Sequence, residues 1–152
     1  MSAARESNAT GPLLVVEDSD EDFDTVREAA KKAGLTNEVR RATTGDECLA
    51  LLRGSGGPVV RPALVLLDLN LPGTDGREAL CQIRADARLR GLTVVVLSTS
   101  ANPRDVNSCY RSGANAYHVK PVRHQDHLRV LLDLFSYWLT QVTLPEPESY
   151  TL

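Results

Sequence analysis

Three stretches of this chain are almost purely aliphatic: Pro12-Leu13-Leu14-Val15-Val16, Ala63-Leu64-Val65-Leu66-Leu67 and Leu92 to Leu97. Runs of this kind, with no helical gap, predict strands buried on both faces. Glu38 to Ala42 and Ala116 to Val119 are shorter strand candidates. Between the runs the pattern changes to one apolar stripe. Asp20 to Ala33 places Phe23, Val26, Ala29, Ala30 and Ala33 on one helical face, and Gly34 is a plausible stop. Thr44-Gly45-Asp46-Glu47 fits a capping box, which Cys48, Leu49, Leu51 and Leu52 continue as a helix. Gly54 to Pro58 reads as a loop. Further helices are predicted from about Gly76 to Asp86, from Asn102-Pro103 to about Gly113, and from His124 to Val142.

Strands and helices therefore alternate five times with short joints. That alternation predicts an α/β fold, a doubly wound five-stranded parallel sheet with helices on both faces. With 152 residues there is room for one domain with a proper core. It is expected over residues 12–142, after a flexible N-terminus (1–11) and before a C-terminal tail (143–152). Leu144-Pro145-Glu146-Pro147-Glu148 cannot continue a helix, so the tail is expected to be extended or disordered.

Composition narrows the function by exclusion. The chain is 42% hydrophobic and 24% charged, with a formal charge of -3 and no basic stripe. No nucleic-acid partner is expected. No run approaches the length of a membrane span, and the N-terminus has no signal-peptide core, so a cytoplasmic protein with no membrane partner is expected. Cys48, Cys81 and Cys109 are scattered and read as free thiols.

The polar residues that end the strands carry the chemistry. The first run ends in Glu17 and Asp18, the third strand in Asp68, the fourth in Ser98 and Thr99, the fifth in Lys120. Open parallel sheets place their sites at this edge. Three carboxylates brought together repel one another unless a cation joins them. Mg²⁺, which takes hard oxygen ligands and keeps several waters, is the expected one. A carboxylate beside a metal can attack a phosphoryl group, and Lys120 can offset charge on the phosphoryl oxygens. Taken singly, each residue has an ordinary reading as a turn, cap or loop residue. Their joint order at strands one, three, four and five points to function. His124 and His127 open the last helix, lack further ligands, and are expected to be solvent-exposed.

The set Glu17-Asp18, Asp68 with Pro72-Gly73 and Gly76, Ser98, and Tyr117 before Lys120-Pro121 resembles the receiver domain of two-component response regulators. The resemblance spans roughly residues 12 to 140 and implies strand order 2-1-3-4-5, the order for which CheY is a standard example. It implies that Asp68 accepts a phosphoryl group from a phosphohistidine on a sensor histidine kinase. Asp18 and Asp68 would ligate Mg²⁺ directly, Glu17 through water, and Asn70 through its carbonyl. Lys120-Pro121 would be a cis peptide, and Ser98 and Tyr117 would form a switch pair. Thr99 stands where a small residue is usual, which slightly narrows access. Asn70 and Ser100, at the positions that tune hydrolysis, are small and polar, so a phosphorylated lifetime of seconds to minutes is expected.

Other functions on related folds fit less well. Haloacid-dehalogenase-type phosphatases need a second Asp where Asn70 stands. A flavodoxin needs a phosphate-holding loop where Glu17 to Asp22 would repel phosphate. A docking-only receiver would not need the intact acceptor set. A phosphate sink or relay intermediate stays open.

The output surface is expected on the last helix. Leu128, Leu131, Leu132, Phe135, Trp138, Leu139 and Val142 form a stripe that Val130, Leu134 and Tyr137 widen beyond half the circumference. A homodimer through Val130, Leu134, Tyr137 and Trp138 is expected, with signalling through protein contacts because little chain follows Lys120. The runs Val94 to Ser100 and Tyr137 to Pro145 resemble the single-domain response regulators associated with bacterial phytochromes. That resemblance implies a red/far-red photoreceptor kinase as partner.

Overall fold

Continuous aliphatic runs become the strands β1 (Leu13–Val16), β3 (Leu64–Asp68) and β4 (Val94–Ser98), while β2 (Val39–Ala42) and β5 (Ala116–Val119) are shorter and less buried. The structure is a computed structural model that describes residues 10–69 and 75–145. All five strands are parallel, in the order β2-β1-β3-β4-β5. The predicted architecture and strand order are both found.

Within the runs a period of two still sorts the side chains. Leu14, Val16, Val65, Leu67, Val94 and Val96 face one layer. Leu13, Val15, Leu64, Leu66, Val95 and Leu97 face the other. The first layer is covered by α2 (Gly45–Arg53), α3 (Gly76–Ala85) and α4 (Pro103–Arg111), which contribute Leu49, Leu52, Leu80, Ile83 and Cys109. The second is covered by α1 (Asp20–Lys32) and α5 (His124–Ser136), which contribute Val26, Ala29, Leu131 and Phe135. Each fully buried leucine or valine contributes about 1.5–3 kcal/mol, so the two apolar layers hold the sheet edges in place.

Helix starts follow their caps. Ser19, Thr44, Asp75 and Asn102 each accept a first-turn N–H on a side-chain oxygen. The capping box at Thr44 is only half formed. Glu47 Oε2 accepts the N–H and hydroxyl of Thr43, one residue earlier than the motif predicts.

The last helix differs from expectation in two ways. It ends at Ser136 and passes into a π-helical turn (Tyr137–Gln141), in which Val142 N–H donates to Tyr137 O at 2.9 Å. The tail then turns back: Leu144 is buried in the same core as Leu131 and Phe135. An apolar residue beyond the helix continues the core instead of extending into solvent.

Candidate functional site at the carboxyl ends of the strands

Register decides which side chains meet. Val16 pairs with Leu67, so Glu17 and Asp18 leave β1 beside Asp68 at the end of β3. Asp68 pairs with Leu97 and Ser98 with Val119, which puts Lys120 one residue beyond the same edge. Glu17 and Asp68 are buried, whereas Asp18 is exposed. One carboxylate oxygen from each of Glu17, Asp18 and Asp68 lies within 4.8 Å of the others. An all-oxygen cluster of three carboxylates of this width suits a hard divalent cation.

Lys120 is the hub of the site. Its backbone N–H donates to Ser98 O at 2.6 Å, which anchors the chain as it leaves β5. Its buried ammonium donates to Glu17 Oε1 at 2.8 Å, Asp22 Oδ2 at 3.0 Å and Asp68 Oδ2 at 3.1 Å. Burial pulls the ammonium down, but Glu17, Asp68 and Asp22 together outweigh it and hold the group above its ordinary value. Glu17 moves up from 4.5 to about 7, because burial and the neighbouring Asp68 disfavour its charge more than Lys120 favours it. Ser19 N–H occupies the second Glu17 oxygen at 3.2 Å.

Gly76 opens α3 against the end of β3. A Cβ there would lie 2.2 Å from Asp68 O, so only glycine permits this approach. On the neighbouring strand, Ser98 is buried and its Oγ accepts Ser100 N–H at 3.2 Å, while Thr99 is exposed. Ser100 in turn donates its hydroxyl to Asp105 Oδ2 at 2.6 Å. The Tyr117 hydroxyl donates to Ser100 O at 2.7 Å, so the ring is tied to the segment that follows Ser98.

Glu17, Asp18, Asp68, Ser98 and Lys120 are thus brought together as the sequence predicts, with Tyr117 one segment away. Asn70, Pro72 and Gly73 lie outside the described residues. The Lys120-Pro121 bond is trans, contrary to expectation. The trans isomer is the cheaper one for a tertiary amide.

Three residues of the site have no clear mark in the sequence. Asp22, on the first turn of α1, completes the Lys120 cage, and its only signal is the acidic run after β1. Arg41 on β2 donates to Glu17 O at 2.9 Å and to Asp20 Oδ1 at 2.8 Å, which partly balances that run. His127 is buried, not solvent-exposed, and burial holds its imidazole below the ordinary value. It faces inward because the apolar stripe of α5 begins on its side of the helix. His124 is exposed as expected and lies 3.2 Å from Glu28 Oε2.

The last helix also requires a correction. Leu134 is only 1% exposed and lies in the monomer's own core, so it cannot serve a partner surface. The helix contacts α1 as well as the sheet, and a helix with two neighbours needs an apolar face wider than one stripe. Val130 and Trp138 are half-buried, while Tyr137 is 54% exposed and stacks edge-on against Trp138 at 5.3 Å.

Comparison with known proteins agrees with this geometry. The profile of the response regulator receiver domain matches residues 13–132. Response regulator Rcp1 of Synechocystis is 39% identical over 144 residues, covering 92% of this chain and 97% of that protein. The crystal structure of Mn²⁺-bound Rcp1 has a TM-score of 0.83 at 38% identity, covering 89% of this chain and 99% of that one. The phosphorylated cyanobacterial phytochrome response regulator RcpA gives a TM-score of 0.86 at 36% identity, covering 91% and 100%.

Proposed function

The chain belongs to the response regulator receiver domain family, and from that premise we propose that Asp68 accepts a phosphoryl group from the phosphohistidine of a sensor kinase. The observation that carries this reading is the Lys120 ammonium held against Glu17, Asp22 and Asp68 at 2.8–3.1 Å. An Asp68 oxygen attacks phosphorus as the P–N bond of the phosphohistidine breaks. The electron pair goes to the imidazole nitrogen. Lys120 leaves its carboxylate partners in part to meet the incoming phosphoryl oxygens, and Ser98 Oγ is placed to donate to another. Thr99, beside it at the surface, borders the approach.

Glu17, Asp18, Asp68 and the Asn70 carbonyl would hold Mg²⁺. When bound, the ion supplies charge neutralisation for the phosphoryl oxygens. Both Glu17 oxygens already have protein partners, which supports its acting through water. Ser98 and Tyr117 form the switch: drawing the serine toward a phosphoryl group shifts the Ser98–Ser100 segment to which the tyrosine hydroxyl is bonded.

The kinase partner proposed is a phytochrome-type photoreceptor in the cytoplasm, a reading supported by the likeness to Rcp1 and RcpA. A homodimer is proposed through Val130, Tyr137 and Trp138 of the last helix. Three of the exposed large apolar residues, Tyr110, Val119 and Tyr137, lie on α4, β5 and the turn after α5. The test of the chemistry is incubation with Mg²⁺ and acetyl phosphate. The wild type should take up label, and chelation or Asp68→Asn should abolish it. Undiminished label in Asp68→Asn would overturn the assignment.

A further inference from the structure

A second charged site lies at the other edge of the sheet, where the strands begin. A cavity of about 220 Å³ opens between the end of α2, the loop that returns to β3, and the segment after α3. Its apolar lining is Leu52, Val59 and Leu89. Its other lining residues are three arginines, Arg53, Arg61 and Arg88, of which Arg53 also donates to Gln82 Oε1 at 3.3 Å. The loop is pinned in place: Val60 N–H donates to Leu51 O at 2.9 Å, and Ser55 N–H to Ala50 O at 2.9 Å.

The charges here do not cancel. Asp86 lies 3.2 Å from Arg88 and 3.6 Å from Arg53. Arg88 keeps the Asp86 carboxyl below its ordinary value, so it is an anion at neutral pH. Among the described residues, no carboxylate lies within 4 Å of the Arg61 guanidinium. Three arginines line the cavity and Asp86 pairs with two of them, Arg53 and Arg88, which leaves an excess of two positive charges in a chain whose formal charge is -3. A guanidinium presents parallel N–H donors that match phosphate geometry, and a phosphomonoester near pH 7 carries about two negative charges. The cavity is smaller than the roughly 300–1,000 Å³ typical of drug-sized ligands, which limits the remainder to a few carbons.

We propose that this cavity binds a small phosphomonoester, with the phosphate held by Arg53, Arg61 and Arg88 and its carbon skeleton over Leu52, Val59 and Leu89. The site is independent of the chemistry at Asp68. Glycerol 3-phosphate, a simple ester and not an activated phosphoryl donor, is the probe. It is titrated without Mg²⁺ and at constant ionic strength into the full chain, observed by amide ¹H–¹⁵N correlation spectra. The expected result is saturable movement of the Leu52, Arg53, Val59 and Leu89 amides, with Kd below about 1 mM. Arg61→Gln should weaken binding roughly tenfold, and Arg61→Lys, which keeps the charge without the fork, severalfold. Thermal unfolding of both variants should match the wild type. The proposal is overturned by no saturation up to about 10 mM, by movement confined to residues around Lys120, by unchanged affinity in Arg61→Gln, or by equal affinity for malonate.

Discussion

Lys120 and Arg84 are both cations drawn into the protein, at opposite ends of the same sheet, and their partners differ in kind. Lys120 sits among the carboxylates of Glu17, Asp22 and Asp68. Arg84 donates to Gly113 O at 2.8 Å, Arg90 O at 3.0 Å, Leu92 O at 2.6 Å and Asn115 Oδ1 at 2.8 Å. Among the described residues no carboxylate offsets its desolvation, and burial holds its guanidinium below the ordinary value. The neutral oxygens belong to backbone and side chain at the starts of β4 and β5, so the arginine is a fixed clamp. Gly113 is part of it: its φ is +104°, and a Cβ would lie 2.6 Å from Arg84 Cγ. At the other end, three carboxylates compete for one ammonium, and Glu17 is pushed toward keeping its proton. The charges of that site are left unbalanced, and a cation or phosphoryl group can rearrange it.

The contrast breaks first at the clamp. Arg84→Ala leaves several carbonyls without a donor and should cost about 3 kcal/mol, or roughly 10 °C in Tm. Mg²⁺ should not restore it, and phosphoryl uptake per folded molecule should survive. Thermal unfolding with and without Mg²⁺ checks both points.

Lys120→Met should give the opposite pattern. The buried carboxylates lose their counter-charge, so the metal-free protein should lose about 2 kcal/mol. Millimolar Mg²⁺ should return most of that stability, yet phosphoryl uptake should fall sharply. Equal response of the two variants to Mg²⁺ would erase the distinction between the two ends.

The smallest effect is in pH. The Glu17 carboxyl has a higher value folded, about 7, than its ordinary 4.5. Below 4.5 both folded and unfolded forms are protonated, and the contribution to stability is complete. As pH rises toward 7 the unfolded chain releases this proton first, so that contribution is lost. The Tm of the metal-free protein should therefore carry a downward component between pH 4.5 and 7. Glu17→Gln should remove it, and Mg²⁺ should flatten it. An identical slope in Glu17→Gln would rule out this origin.

Much of the fold and the site is legible in the chain, for a definite reason. A parallel strand covered on both sides must be apolar throughout, so its end is marked by the first polar residue. That mark gathers Glu17, Asp68 and Ser98 from the amino-acid sequence alone; Lys120 ends a half-buried edge strand that already contains His118, and its signal is the break at Pro121. The pairs that cross the fold carry no such mark. Asp22 meets Lys120 across 98 positions, and nothing local distinguishes it from its acidic neighbours. Arg84 looks like any basic residue in the last turn of a helix. Leu134 misleads for a different reason: helical spacing shows how wide an apolar face is, but not how many of the monomer's own elements cover it. His127 misleads on the same helix, because its polar ring falls on the covered side.

The proposed phosphotransfer requires that Asp68, and no other carboxylate of the cluster, take the phosphoryl group. Borohydride reduces an acyl phosphate on aspartate to homoserine, which peptide mass mapping can locate. After treatment with acetyl phosphate and Mg²⁺, homoserine is expected at position 68 alone. Reduction at Glu17 or Asp18, or none at position 68 in a labelled sample, would contradict it.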